Sequence, residues 1–193
     1  MQKKQQFTRT ESIAFCALAI ALLAVSAWIT VPIGPVPFTL QTMMLAFVVL
    51  LFPAREAVIS VAGYVALGAI GVPVFSSMKG GLAAIMGLSG GFITGFVLGT
   101  IAAVLLLKVW KAPKSQVACL VREYAAALVL LAISYICGWV QLMMVAGMSP
   151  VAAFLAGIAP FIVLDVVKMA VGVALAHALR QAVPALRKAS SEN

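Results

Sequence analysis

The chain has 193 residues, 64% of them hydrophobic and only 9% charged. A soluble domain carries about 25% charged residues, so the composition excludes an ordinary water-soluble fold and points to an all-α, polytopic membrane protein, with residues 1–193 forming a single membrane domain. The net charge of +8 would suggest a nucleic-acid binder in a soluble protein, but here the basic residues lie between apolar runs and membrane topology accounts for them.

Taken in order, the apolar runs predict six transmembrane helices near 13–31, 38–52, 56–71, 92–108, 123–145 and 160–180. Lys3, Lys4 and Arg9 precede the first run, and Val25-Ser26-Ala27 looks like a signal-peptidase site. That run is longer than the ~7–15 apolar residues of a signal core, so it is read as the first span. Within it Ala14, Ala17, Ala21 and Ala24 recur three and four residues apart and form one small-residue stripe, the kind that lets another helix approach closely. The partner is either a helix of the same bundle or a separate membrane subunit.

The connection after the first span holds Pro32, Gly34, Pro35 and Pro37, which impose a stiff, non-helical path. Thr39 can cap the following helix, which places Gln41 facing inward. The second outer connection runs from Gly71 through Pro73, Phe75 and Lys79 to Gly90 and Gly91. Its glycines permit tight turns and close approach to a ligand. Non-helical backbone at membrane depth is tolerated only when buried in protein or lining a cavity. In the fifth span Trp139 and Gln141 have the chemistry to stack on and hydrogen-bond a flat polar ligand, or to anchor the span at the interface. Pro150 and Pro160 fence a short helical approach to the last span. His177 is a lone histidine, and Cys16, Cys119 and Cys137 are scattered. No metal or disulfide spacing emerges, and no cofactor is expected.

The last span carries an acid and a base. Asp165 and Lys168 lie three residues apart and therefore on one helical face. A charge buried in hydrocarbon costs roughly 2.5–3.5 kcal/mol on insertion scales, and intramembrane ionisable residues mark functional sites. The plainer reading is an ion pair that serves helix packing or insertion. Together with Gln41 and the two structured loops, the pair points to an outward-facing pocket for a small solute with both donor and acceptor groups. A membrane enzyme using the pair for acid–base chemistry lacks a nucleophile motif or metal cluster, and a purely structural subunit leaves the elaborate loops unexplained.

These residues carry a resemblance. The stretch Pro35-Val36-Pro37-Phe38-Thr39-Leu40-Gln41-Thr42 is followed by Tyr64, then by Gly68 through Phe75, by Gly90-Gly91-Phe92, and by Pro160-Phe161 with Asp165 and Lys168. In that order and spacing, from about residue 13 to 180, they resemble BioY, the biotin-binding S components of energy-coupling factor (ECF) transporters. One departure is Gly87-Leu88-Ser89-Gly90, where the family usually has Gly-Pro-Thr-Gly; it alters the stiffness of that loop. The resemblance implies a six-helix S-component fold in the cell membrane and capture of biotin at the outer face. It implies a binding site drawn from Phe38, Thr39, Gln41, Tyr64, Phe75, Gly90, Gly91, Asp165 and Lys168. It also implies docking through an A-x-x-x-A surface, here Ala17 and Ala21, to a transmembrane coupling subunit. Two cytoplasmic ATP-binding partners would hydrolyse ATP, so this chain itself would not be an enzyme. An S component for another vitamin, or a transporter that works alone, is the nearest alternative.

Charge sets the expected orientation. All 13 basic residues except Lys79 and Lys168 fall in the N-terminal tail 1–12, the 2–3 and 4–5 connections, or the region from Arg180 through the tail 181–193. The positive-inside rule then places both termini in the cytoplasm. In a background without the native cysteines, a membrane-impermeant thiol reagent applied from outside should label Lys79→Cys and leave Lys111→Cys untouched. Outside labelling at position 111 would reverse the orientation and with it the outward-facing pocket.

Overall fold

The computed structural model describes residues 8–113 and 115–182. The basic residues Lys3, Lys4, Lys114, Arg187 and Lys188 and most of both tails lie outside the described residues. The helices are α1 (Arg9–Trp28), α2 (Gln41–Leu51), α3 (Ala54–Ala69), α4 (Leu82–Met86), α5 (Gly90–Val109), α6 (Gln116–Ala146), α7 (Pro150–Gly157) and α8 (Ile162–Ala182). Two short strands, β1 (Thr30–Val31) and β2 (Phe38–Thr39), pair antiparallel. By length and composition α1, α5, α6 and α8 are able to cross a membrane. This is an all-helical, multi-pass membrane protein.

α1, α3, α5 and α6 all start earlier than the hydropathy reading places them, α1 and α6 by the most and for identifiable reasons. The first begins at Arg9 because Thr8 and Glu11 form a reciprocal capping box: Glu11 N–H donates to Thr8 Oγ1 and Thr8 N–H to Glu11 Oε2. The fifth expected span, α6, begins at Gln116 because its charged residues turn inward. Arg122 donates to the Leu107 and Trp110 carbonyls at the end of α5, and Glu123 pairs with Arg180 of α8 at 2.8 Å. Charges satisfied by neighbouring helices do not need to end a helix.

The helix neighbours close a ring: α1 packs on α3, α3 on α5, α5 on α6, α6 on α8, α8 on α2, and α2 back on α1. The tightest seam is α5 on α6. Gly91, Gly95 and Gly99 recur every four residues along α5, and an added Cβ would lie 2.3 Å from the Cys137 carbonyl oxygen, 2.7 Å from Ser134 Cα and 2.7 Å from the Leu130 carbonyl oxygen. Small residues at this spacing let two backbones meet, the main source of helix affinity where lipid and side chains are equally apolar. Gly172 does the same for α8 against Met43 of α2.

With 11 residues, α2 rises only about 16 Å at 1.5 Å per residue, short of a ~30 Å hydrocarbon core. The segment before it supplies the rest of the path. Between β1 and β2 the chain turns through Gly34 at φ 68°, with Val36 buried. Thr39 Oγ1 then accepts the Gln41 N–H, so the expected capping hydroxyl acts one residue before the N-cap, Leu40.

Candidate functional site

At the end of the ring opposite the Arg122 and Arg180 contacts lies a cavity. It offers about 60 Å³ to the centre of a water-sized sphere, against the ~10–15 Å³ that one water requires. The β1–β2 hairpin and α2 give Val36, Pro37, Phe38, Thr39, Gln41 and Thr42 to its wall. Loop residues Phe75, Ser76 and Ser89 close one side. The walls from α5, α6 and α8 are Phe92, Ile93, Phe96, Ser134, Tyr135, Asp165 and Lys168, with Phe161 just ahead of α8. Nothing in this lining comes from α1 or α3.

Asp165 and Lys168 form the expected i,i+3 ion pair, and both are buried. The pair does not stand alone. Asp165 Oδ1 also accepts from Thr42 Oγ1 at 3.0 Å, and Tyr135 donates its hydroxyl to Oδ2. Lys168 Nζ donates to the Thr39 carbonyl at 2.6 Å and sits 4.0 Å from the centre of the Phe38 ring. Phe38 in turn stacks on Phe161, centroids 6.3 Å apart. The ammonium group thus spends two donors on oxygens and turns a third direction to an aromatic face, a cation–π arrangement that desolvation strengthens. The carboxylate has received three donors and keeps one lone-pair direction on Oδ2 for a further N–H.

Gln41 Nε2 donates to the Tyr64 hydroxyl at 2.8 Å, and Tyr64 donates onward to the Val74 carbonyl at 2.9 Å. Tyr64 is fully buried and lies outside the cavity lining, so it orients Gln41 and the loop from behind. Its ring meets Phe75 edge-on, centroids 5.5 Å apart. Phe75 reaches this position through a 3-10 turn, Ser76–Met78, in which Ser77 and Met78 hold φ of 58° and 55°. Left-handed backbone at non-glycine residues costs about 1–2 kcal/mol each. The Phe75 N–H···O=C Lys79 bond closes the turn, and Gly68 leaves the space the ring fills: a Cβ there would lie 2.0 Å from the ring.

The structure brings Phe38, Thr39, Gln41, Phe75, Asp165 and Lys168 to one cavity. It packs Gly90 against α4, where an added Cβ would run into the Ile85 carbonyl oxygen, and Gly91 at the α5–α6 seam, where it would run into the Cys137 carbonyl oxygen; Ser89 and Phe92 line the cavity on either side of them. Trp139 and Gln141 are occupied elsewhere. Trp139 donates to the Pro150 carbonyl, and Gln141 Nε2 holds the Ile85 and Gly87 carbonyls of the outer loop. Lys79 is exposed, and His177 lies beside Gln181 at the far end of α8. Sequence reasoning did not assign Thr42, Tyr135, Phe92 or Phe161 to the site, although Thr42, Phe92 and Phe161 lie in the stretches that carry the resemblance. Thr42 and Tyr135 were visible as hydroxyls within apolar runs, but only the fold aims them at Asp165. Ala14, Ala17 and Ala21 are exposed on α1, whereas Ala24 is buried in the core.

A mostly apolar, aromatic cavity with a few convergent polar groups is the anatomy of a small-molecule site. The BioY family matches residues 1–185. The chain belongs to the BioY family. It is 36% identical over 172 residues to "Probable biotin transporter BioY" of Pyrococcus horikoshii, covering 89% of this chain and 98% of that one. It is 30% identical over 175 residues to "Biotin transporter BioY" of Rhizobium etli, covering 90% and 93%. Its fold is similar to the crystal structure of "the S-component for biotin from an ECF-type ABC transporter", with TM-score 0.82 at 24% identity over 91% of this chain and 95% of that one. The fold is therefore that of an S component.

The geometry around Asp165 generates a prediction for this BioY-family chain. Tyr135→Phe and Thr42→Val each remove a donor from a buried carboxylate, which costs about 1.5–3 kcal/mol for a hydrogen bond to a charged group. In an Asp165→Asn background the same substitutions should cost clearly less, because no charge remains to be satisfied. Denaturant unfolding of the single and double variants in detergent measures the coupling. Strictly additive costs would show that the two hydroxyls do not organise Asp165.

Proposed function

We propose that this chain is the biotin-capturing S component of an ECF transporter. The observation that carries the reading is the cavity at one end of the ring, where Asp165 keeps one acceptor direction open among aromatic walls. Biotin presents two ureido N–H groups and a carbonyl on a fused ring, followed by an apolar chain. One ureido N–H meets Asp165 Oδ2. Gln41 offers its amide oxygen and second N–H to the other polar atoms of the ring. Phe38, Phe75, Phe92 and Phe161 enclose the apolar part. The names of the two relatives, biotin transporters both, agree with this chemistry. Lys168 pairs with Asp165 and ties the hairpin to α8 through Thr39, so it preorganises the site as well as lining it.

In the same reading α1, α2, α3, α5, α6 and α8 are the six spans, both termini are cytoplasmic, and the cavity opens outward. The basic end of the ring, with Arg9, Arg55, Lys108, Lys111, Arg122 and Arg180, then faces the cytoplasm. Ala14, Ala17 and Ala21, exposed on α1, form a flat small-residue surface for a transmembrane coupling subunit, and ATP-binding partners supply the energy.

Asp165→Asn keeps the shape of the side chain but removes its charge and replaces an acceptor by a donor. Biotin affinity should fall about tenfold to a hundredfold or more, measured by equilibrium binding on the same preparation whose melting temperature is recorded. Unchanged affinity in well-folded variant protein would remove Asp165 from the site. Another vitamin binding more tightly than biotin would change the assigned substrate.

Leucine at both Ala17 and Ala21 adds bulk to the exposed stripe without touching the cavity. The doubly substituted protein should bind biotin normally yet fail to co-purify with the coupling subunit and fail to support uptake. Retained uptake and co-purification would show that the coupling subunit docks elsewhere.

A further inference from the structure

The seam between α1 and α3 carries a second concavity, separate from the binding cavity. It is an open groove offering about 640 Å³ to the centre of a water-sized sphere, lined by Arg9, Ser12, Ile13, Cys16, Ala17 and Ile20 from α1 and by Arg55 and Ile59 from α3. Its floor is the helix contact itself. Ser12 Oγ donates to Glu56 Oε1 at 2.9 Å, Cys16 Sγ reaches the Glu56 carbonyl, and at the far end Ile20 closes on Gly63, whose added Cβ would lie 3.3 Å from Ile20 Cδ1.

The two ends of the groove differ in chemistry. Arg9 and Arg55 stand together at the helix starts, both exposed, and neither forms an ion pair among the described residues. Among the described residues no carboxylate lines the groove: Glu56 is buried beneath it, and Glu11 is committed to the Thr8 cap. Beyond the arginines the lining is apolar through Ile13, Ala17, Ile59 and Ile20, with Ile13 and Ile59 exposed. From Arg9 to Ile20 the helix rises about 16 Å at 1.5 Å per residue, a length suited to an acyl chain. By length and composition α1 is able to cross a membrane; a helix that does so turns this exposed face to lipid and brings its arginine end near the headgroups.

We propose that the α1–α3 groove seats an anionic phospholipid, its phosphate between the Arg9 and Arg55 guanidiniums and one acyl chain along Ile13, Ala17, Ile59 and Ile20. Guanidinium groups bind phosphate oxygens in bidentate pairs, and the apolar channel excludes a bare anion as the whole ligand. Ala17 also belongs to the surface proposed for the coupling subunit, so a seated lipid and a docked subunit would displace one another; that corollary alone rests on the docking reading.

The test is native mass spectrometry of the full chain in detergent, titrated with dioleoylphosphatidylglycerol, dioleoylphosphatidylcholine or inorganic phosphate. One phosphatidylglycerol should bind in preference to phosphatidylcholine, with no retained inorganic phosphate. Each basic residue near the membrane surface contributes about fivefold, so Arg9→Gln with Arg55→Gln should weaken phosphatidylglycerol binding more than about tenfold. Lys108→Gln with Lys111→Gln, which removes the same charge elsewhere on that end, should leave it unchanged. If the double arginine variant does not fold, either single variant should show about a fivefold loss. Equal binding of the two lipids, an equal loss in the lysine control, or full binding in the arginine variants would overturn the site. Retention of inorganic phosphate at the same arginines would make it an anion site and not a lipid seat.

Discussion

The buried pair of Asp165 and Lys168 is the constraint on which the cavity depends. Two charges inside a membrane protein are tolerable only when their mutual attraction is supplemented by hydrogen bonds that satisfy the remaining donors and lone pairs. Here the supplements come from the hairpin, α2, α6 and the Phe38 ring. Each of these elements must be in place before the pair is satisfied. The ring of helices and the polar cluster therefore specify one another, and the cluster leaves one acceptor position on Asp165, a residue of the cavity lining.

The same architecture separates two jobs. Every cavity-lining residue comes from the loops or from α2, α5, α6, α7 and α8, while α1 and α3 contribute none. Those two helices complete the ring from the other side. The exposed face of α1, with its alanines and its groove against α3, shares no residue with the cavity lining. Tyr64 and Gly68 are the exception that links the halves: from α3 they position Gln41 and Phe75 from behind. Glycine serves the arrangement at the α5–α6 seam, where close backbone approach gives the cavity a firm wall.

Much of this was legible in the sequence, and the reasons are specific. Hydropathy locates the four long apolar helices α1, α5, α6 and α8 because an apolar run of that length has few other stable environments. An acid and a base three residues apart in such a run must share a face and must be compensated, so Asp165 and Lys168 stand out without any coordinates. Proline and glycine restrict the hairpin after α1 to a non-helical path whatever surrounds it. The start of α1 was also written locally, in the Thr8–Glu11 capping box.

What only the tertiary structure decided is who satisfies whom. Thr42 lies 123 residues from Asp165 and Thr39 lies 129 from Lys168, so no local pattern links them. Gly90 and Gly91 look the same in the sequence whatever they approach, and only the fold shows Gly90 packed on α4 and Gly91 on α6. Arg122 reads as a loop charge and Glu123 as the edge of a span until α5 and α8 provide their partners inside α6. The sequence determined which groups are too costly to leave alone in a membrane, since that cost belongs to each residue and its run. Their partners were decided by tertiary structure, because a hydrogen bond across the bundle exists only when helices distant in sequence are brought within about 3 Å.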